Sequence, residues 1–150
     1  MSIFFADTSA IVKQYLQEVG SAWVRTWASR SSGNVVILSR LTAVEFVSAL
    51  ARRQRQGNLS TADFIALRGA FLSDMDQFYI TVHLEESVLI RARGLVSLYS
   101  LRALDALQLA SALEGIHILG EPLTFITADI DLLKAATAEG LLTDDPNAHP

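Results

Sequence analysis

Four acids, Asp7, Glu45, Asp105 and Asp129, occupy positions where a carboxylate either loses hydration or sits at a strand-to-helix joint. Asp7 follows the apolar run Ile3-Phe4-Phe5-Ala6, and Asp129 follows Leu123-Thr124-Phe125-Ile126-Thr127 and Ala128; residues at helical spacing come after both. Asp105 lies in a segment with Leu101, Leu104, Leu107, Leu109 and Leu113 on nearly every side of a helix, the pattern of a buried helix. Glu45 is at the margin of an apolar arc made by Leu41, Val44, Phe46, Val47 and Leu50. None of its neighbours one turn away, Leu41, Thr42, Ser48 and Ala49, is basic, and Arg52 is two turns off.

Each acid also has a plain structural explanation. An Asp between a strand and a helix is an expected N-cap, accepting hydrogen bonds from first-turn amides. Asp105 could pair with Arg102 at i−3 or be favoured by the helix dipole, and Glu45 could be a solvated rim residue. Asp131, in the first turn after Asp129, reads either as a peripheral ligand or, the favoured reading, as a dipole-favoured surface acid. The functional alternative rests on convergence: carboxylates brought together repel one another unless hard cations lie among them. Mg²⁺ suits such a site, because it prefers oxygen ligands, keeps several waters and can share substrate phosphate oxygens. One or two such ions can activate water and stabilise the leaving oxygen in phosphodiester hydrolysis, with no His, Cys or Ser nucleophile.

Other chemistries lack their residues. There is no phosphate-cradling glycine loop, dinucleotide fingerprint or paired-His motif, and His83, His117 and His149 are scattered in the manner of structural or surface residues. Asp7-Thr8-Ser9 lacks the second aspartate of a haloacid-dehalogenase phosphatase. A receiver domain would need a phosphoacceptor aspartate after the third strand, where Val82-His83-Leu84 stands instead.

The elements that must position the acids alternate. Strands are expected at Ser2 to Ala6, Val35 to Leu38, Phe78 to Val82 and Leu123 to Thr127, with an edge strand at Leu141 to Thr143. Helices are expected from Thr8, around Ala22 to Ala28, from Leu41 to Gln56, from a cap at Ser60 with Phe64, Leu67, Phe71 and Met75 facing the core, from Glu85 to Tyr99, from Arg102 to Glu114, and from Asp129 to Glu139. Trp23 and Trp27 share one helical face and read as core packing. This alternation implies an α/β fold, a parallel sheet with helices on both faces, which binds ligands outside the carboxyl ends of its strands. Asp7 and Asp129 fall there. Residues 1–143 read as a single domain and 144–150, polar and carrying two prolines, as a loose tail.

At 150 residues, 51% hydrophobic and 19% charged, the chain can bury roughly two thirds of its unfolded surface without a disulfide or structural zinc. Cysteine is absent, the N-terminus has no basic leader and no apolar run approaches the ~20 residues of a membrane helix, so a cytoplasmic location with no membrane is expected. The net charge of −4 is unusual for a protein that meets nucleic acid, yet removing the four acids from 16 leaves 12, equal to the 12 basic residues. Arg52, Arg53 and Arg55, with Arg40 nearby, form the one dense basic group, suited either to phosphate groups or to a solvated helix end.

Ala6-Asp7-Thr8-Ser9-Ala10, Glu45-Phe46, Leu104-Asp105-Ala106-Leu107-Gln108-Leu109-Ala110 and Ile126-Thr127-Ala128-Asp129 together resemble the PIN-domain family, specifically its bacterial VapC-type toxins. The resemblance implies a PIN-like three-layer α/β/α fold with strand order 3-2-1-4-5, a Mg²⁺ or Mn²⁺ site and endonucleolytic cleavage of RNA. Carried over residue by residue, Asp7, Glu45, Asp105 and Asp129 would bind the metal, with Thr8 and Thr127 supporting them through hydroxyl hydrogen bonds. It further implies a VapB-like antitoxin and a homodimer. The alternatives are a PIN nuclease in RNA processing without an antitoxin and a non-catalytic interaction domain of the same fold.

Overall fold

Alternate residues of the central strands serve two separate cores, which is why those strands read as nearly continuous apolar runs. The computed structural model describes residues 1–150. Strands β1 (Ile3–Ala6), β2 (Val35–Ser39), β3 (Ile80–Val82), β4 (Thr124–Ile126) and β5 (Leu142–Asp144) form one sheet in the order β3-β2-β1-β4-β5. Every neighbouring pair is parallel. The order is the one that the resemblance implies.

On one face Ala6, Val36, Leu38 and Ile126 meet helices α1 (Thr8–Tyr15), α2 (Ser21–Ala28), α3 (Leu41–Arg55) and α4 (Thr61–Gln77), through Ile11, Trp27, Phe46 and Phe71 among others. On the other, Phe5, Ile37 and Phe125 meet α5 (Glu86–Leu98), α6 (Ala103–Leu119) and α7 (Ile130–Ala138), through Val88, Leu95, Leu109 and Leu132. This is the three-layer α/β/α arrangement. Side-chain caps start three helices: Asp7 accepts from Ala10 N, Ser60 from Asp63 N and Asp129 from Leu132 N. No helix is long and apolar enough to cross a membrane.

Four expectations change. Val44 does not belong to the apolar arc of α3; it is 70% exposed, and Thr42, Phe46 and Leu50 are the residues turned inward. The leucines of α6 do not bury it on all sides, because Leu104 is 48% exposed and the inner face is built from Ala106, Leu109, Ala110 and Ala112. That helix also runs past the expected end at Glu114 to Leu119, with Gly115 buried mid-helix toward Val82 and Ile37. Finally, the tail from Asp144 to Pro150 is docked rather than loose. Asp144 joins β5, Pro146 is buried, and the His149 ring stacks on Trp23 with centroids 4.0 Å apart. Gly20, at φ +86°, makes room for it: a Cβ there would lie 2.2 Å from the Pro146 carbonyl oxygen.

Candidate active site

Ala6 pairs with Ile126, so the chain leaves β1 and β4 side by side and Asp7 emerges next to the Thr127-Ala128-Asp129 turn. Asp7 is buried, and its acceptors are filled by neutral donors. Oδ1 receives Ser9 Oγ at 2.6 Å and Ala10 N at 3.0 Å, and Oδ2 receives Thr127 Oγ1 at 2.7 Å. No basic side chain pairs with it. Burial is the largest influence on the carboxyl and raises it to about 6; the bonds from Ser9, Thr127 and Ala10 oppose this, and the nearby Glu45 charge adds to it. One lone pair of Oδ2 remains for a further partner.

Glu45 stands on the face of α3 that also carries Thr42, Ala49 and Arg52, at i−3, i+4 and i+7. Its Oε1 accepts from Thr8 Oγ1 at 2.9 Å and from Gln108 Nε2 at 2.7 Å, leaving Oε2 without a protein donor. Gln108 is buried, and the same nitrogen lies 3.0 Å from Thr42 Oγ1 and 3.2 Å from Thr8 Oγ1. Its Oε1 is buried with no partner. Glu45, like Asp7, has no basic partner.

Asp105, in the first turn of α6, accepts from Arg102 Nε at 3.1 Å, and the Arg102 Nη2 lies 3.7 Å from Asp129 Oδ2. Asp129 uses its other oxygen to cap α7, from Leu132 N at 2.9 Å. The ion pair and the caps foreseen as plain alternatives therefore exist, beside the convergence. Asp105 first, then Asp129 and more weakly Glu45, raise the Arg102 guanidinium above its ordinary value, so its charge is fixed.

All four acids line one cleft of about 480 Å³, together with Thr8, Ser9, Gln108, Arg52 and Arg102. Thr127 is set behind Asp7, and Asp131 faces a separate depression beside Tyr99 and Lys134. As placed, no three of the acids form a group that could hold a single ion. The donor set nonetheless fits a hard divalent cation. It is entirely oxygen, and its buried member, Asp7, is a desolvated carboxylate hydrogen-bonded only by neutral groups, which a cation would compensate. Of the basic group on α3, Arg52 lines the cleft, whereas Arg53 is paired with Glu18, which also holds the buried Lys13.

Ser9, Thr42 and Gln108 carry much of this arrangement and are not singled out by acid spacing. Ser9 bridges the two strand ends, donating to Asp7 and accepting from Ala128 N at 2.9 Å. A signal for Gln108 is present in the sequence: Asp105, Gln108 and Ser111 recur at i, i+3 and i+6, a polar stripe on an otherwise apolar helix. Ser111 continues it inward, donating to Leu107 O at 2.7 Å and lying 3.1 Å from Ser39 Oγ.

The family model of the PIN domain matches residues 4–138. The chain is 30% identical over 148 residues to Ribonuclease VapC47 of Mycobacterium tuberculosis, covering 97% of this chain and 98% of that one. Among solved structures it resembles Mycobacterium tuberculosis VapC20, a sarcin-ricin loop cleaving toxin, with a TM-score of 0.64 at 20% identity, over 99% of this chain and 100% of that one. It also resembles VapBC2 from Rickettsia felis, solved with a promoter DNA fragment, with a TM-score of 0.66 at 13% identity, over 95% and 98% of the two chains. At these identities the structural likenesses speak to the fold.

Proposed function

Since the chain belongs to the PIN-domain family and, by similarity along nearly its whole length, to the VapC-type ribonucleases, we propose that it is a divalent-metal-dependent endoribonuclease and the toxin of a toxin-antitoxin pair. The observation that carries this reading is that Asp7, Glu45, Asp105 and Asp129, from four separate segments, line one cleft at the carboxyl ends of β1 and β4.

Asp7, Glu45, Asp105 and Asp129 would hold Mg²⁺ or Mn²⁺, which supplies a water of lowered pKa and charge stabilisation at phosphate oxygens. The chain's own residues prepare the ground. Ser9, Thr127 and Ala10 N fix the Asp7 carboxylate, and Thr8 and Gln108 fix that of Glu45, so that both acids keep one orientation. Arg52 brings a cation to the same cleft for a backbone phosphate of the RNA. A VapB-like antitoxin, pairing of two copies and action in the cytoplasm belong to this reading. It is supported by similarity to VapC47 and by fold likeness to VapBC2 and to a toxin-antitoxin complex from Klebsiella pneumoniae.

Purified protein incubated with RNA tests it. Cleavage should require Mg²⁺ or Mn²⁺ and should be abolished in Asp105→Asn; undiminished cleavage in EDTA would refute the metal site. Expression alone should arrest bacterial growth, and a small partner encoded beside it should relieve the arrest. Unimpaired growth with soluble, RNA-cleaving protein would instead favour an RNA-processing nuclease.

A further inference from the structure

Two arginines line the cleft, and only Arg102 touches its acids. It sits just ahead of α6, and its guanidinium bridges two carboxylates from different elements: Asp105 Oδ2 at 3.1 Å and Asp129 Oδ2 at 3.7 Å. Apart from these acids little holds it, for the side chain is 82% exposed. Asp7 and Glu45, lining the same cleft, have neutral hydrogen-bond partners only. One side of the cleft thus carries an exposed cation of the chain itself, and the acids of the other side have no ion-pair partner.

A guanidinium and a divalent cation compete for these two carboxylates. Both are positive, they would stand within a few ångströms of one another, and Arg102 lies on Oδ2 of each acid while the other oxygen of Asp129 is engaged in capping α7. We propose that Arg102 is an exchangeable counter-ion: it holds Asp105 and Asp129 together while no divalent cation is present, and yields their oxygens when one binds. This makes it a positioning residue that keeps the acids from flying apart and at the same time competes with the metal. The inference rests on the metal-site reading above.

Two measurements on the full chain test it: calorimetric titration with Mn²⁺ alone, and thermal melts in EDTA and in Mn²⁺, for wild type, Arg102→Gln and Arg102→Lys. Arg102→Gln should bind Mn²⁺ about thirtyfold more tightly, the effect of removing a unit charge about 4 Å from a divalent ion at the dielectric of water. Its melting temperature should fall in EDTA and match wild type in saturating Mn²⁺. Arg102→Lys, which keeps the charge, should stay near wild type. A merely structural arginine would lower stability without tightening metal binding. The proposal is overturned if wild type binds Mn²⁺ and Arg102→Gln binds it equally or more weakly, or if Arg102→Lys behaves like Arg102→Gln. If neither wild type nor Arg102→Gln binds Mn²⁺, the metal-site reading itself fails and takes this inference with it.

Discussion

The side-chain nitrogen of Gln108 lies 2.7 Å from Glu45 Oε1, tying α6 to α3 inside the cleft. The contact orients a carboxylate that has no basic partner, and Gln108 spends its remaining donor capacity on Thr42 and Thr8.

Replacing this amide should therefore separate positioning from folding. Gln108→Leu should lower RNA cleavage roughly 10- to 100-fold, the usual effect of losing a group that orients a metal ligand. Stability should change little, because the buried Gln108 Oε1 has no partner and its removal deletes an unsatisfied acceptor. Cleavage rates and melts on the same preparations check this; normal cleavage would remove Gln108 from the site.

Asp7 makes the metal-free protein sensitive to pH. Its carboxyl is raised from 3.8 to about 6, chiefly by burial, so the folded state binds this proton more tightly than the unfolded state. Its contribution to stability is complete below about pH 4 and is lost as pH rises through about 6. Asp7→Asn keeps the helix cap but carries no charge. Relative to wild type in EDTA, the variant should gain stability between pH 4 and 7, by up to about 3 kcal/mol from a shift of about 2 units. Denaturation curves for the two proteins that stay parallel across this range would contradict the origin assigned to the shift. The variant should also show a smaller melting shift with Mg²⁺.

The neighbouring arginines Arg52 and Arg53 should behave differently. Arg52→Ala should raise KM for RNA and reduce the slope of log affinity against log salt by about 0.7, the loss of one phosphate contact to a single strand. Arg53 is engaged with Glu18, so Arg53→Ala should leave that slope unchanged and cost at most about 1 kcal/mol of stability. Binding isotherms at several salt concentrations decide between them.

Two glycine substitutions should have opposite signs. Gly69 is exposed within α4 and an added methyl meets nothing, so Gly69→Ala should stabilise by about 0.5–1 kcal/mol. Gly20→Ala should destabilise by more than about 2 kcal/mol, combining an unfavourable left-handed backbone with a collision at the Pro146 carbonyl. Chemical denaturation of both variants is the measurement.

The central strands β1 and β2 were legible because they are largely buried and leave near-continuous apolar runs, and the joints at Asp7 and Asp129 were legible because a cap is expected there. Side-chain packing between elements was not. Leucine count made α6 look engulfed, whereas alanines form its inner face and Leu104 points outward. Val44 fits an apolar arc by spacing, but nothing in the fold covers that turn of α3. The tail composition suggested disorder, and only the fold brings Pro146 over Gly20 and His149 onto Trp23. The acids were recognisable as a set together with Thr8 and Thr127, while Ser9, Thr42 and Gln108 become part of the site only through contacts between separate elements.

The bond from Thr127 Oγ1 to Asp7 Oδ2 joins residues 120 positions apart, and β1 lies between β2 and β4 in the sheet. The first strand of the chain must therefore wait for nearly the last before its neighbourhood is complete. During synthesis, Asp7 and Glu45 emerge early, but β4, Asp129 and the α7 turns it caps follow only near the end. No nascent fragment lacking them contains the cleft. With this topology the four acids come together only once β4 and the first turn of α7 have joined β1, so a chain halted before them cannot hold the candidate site.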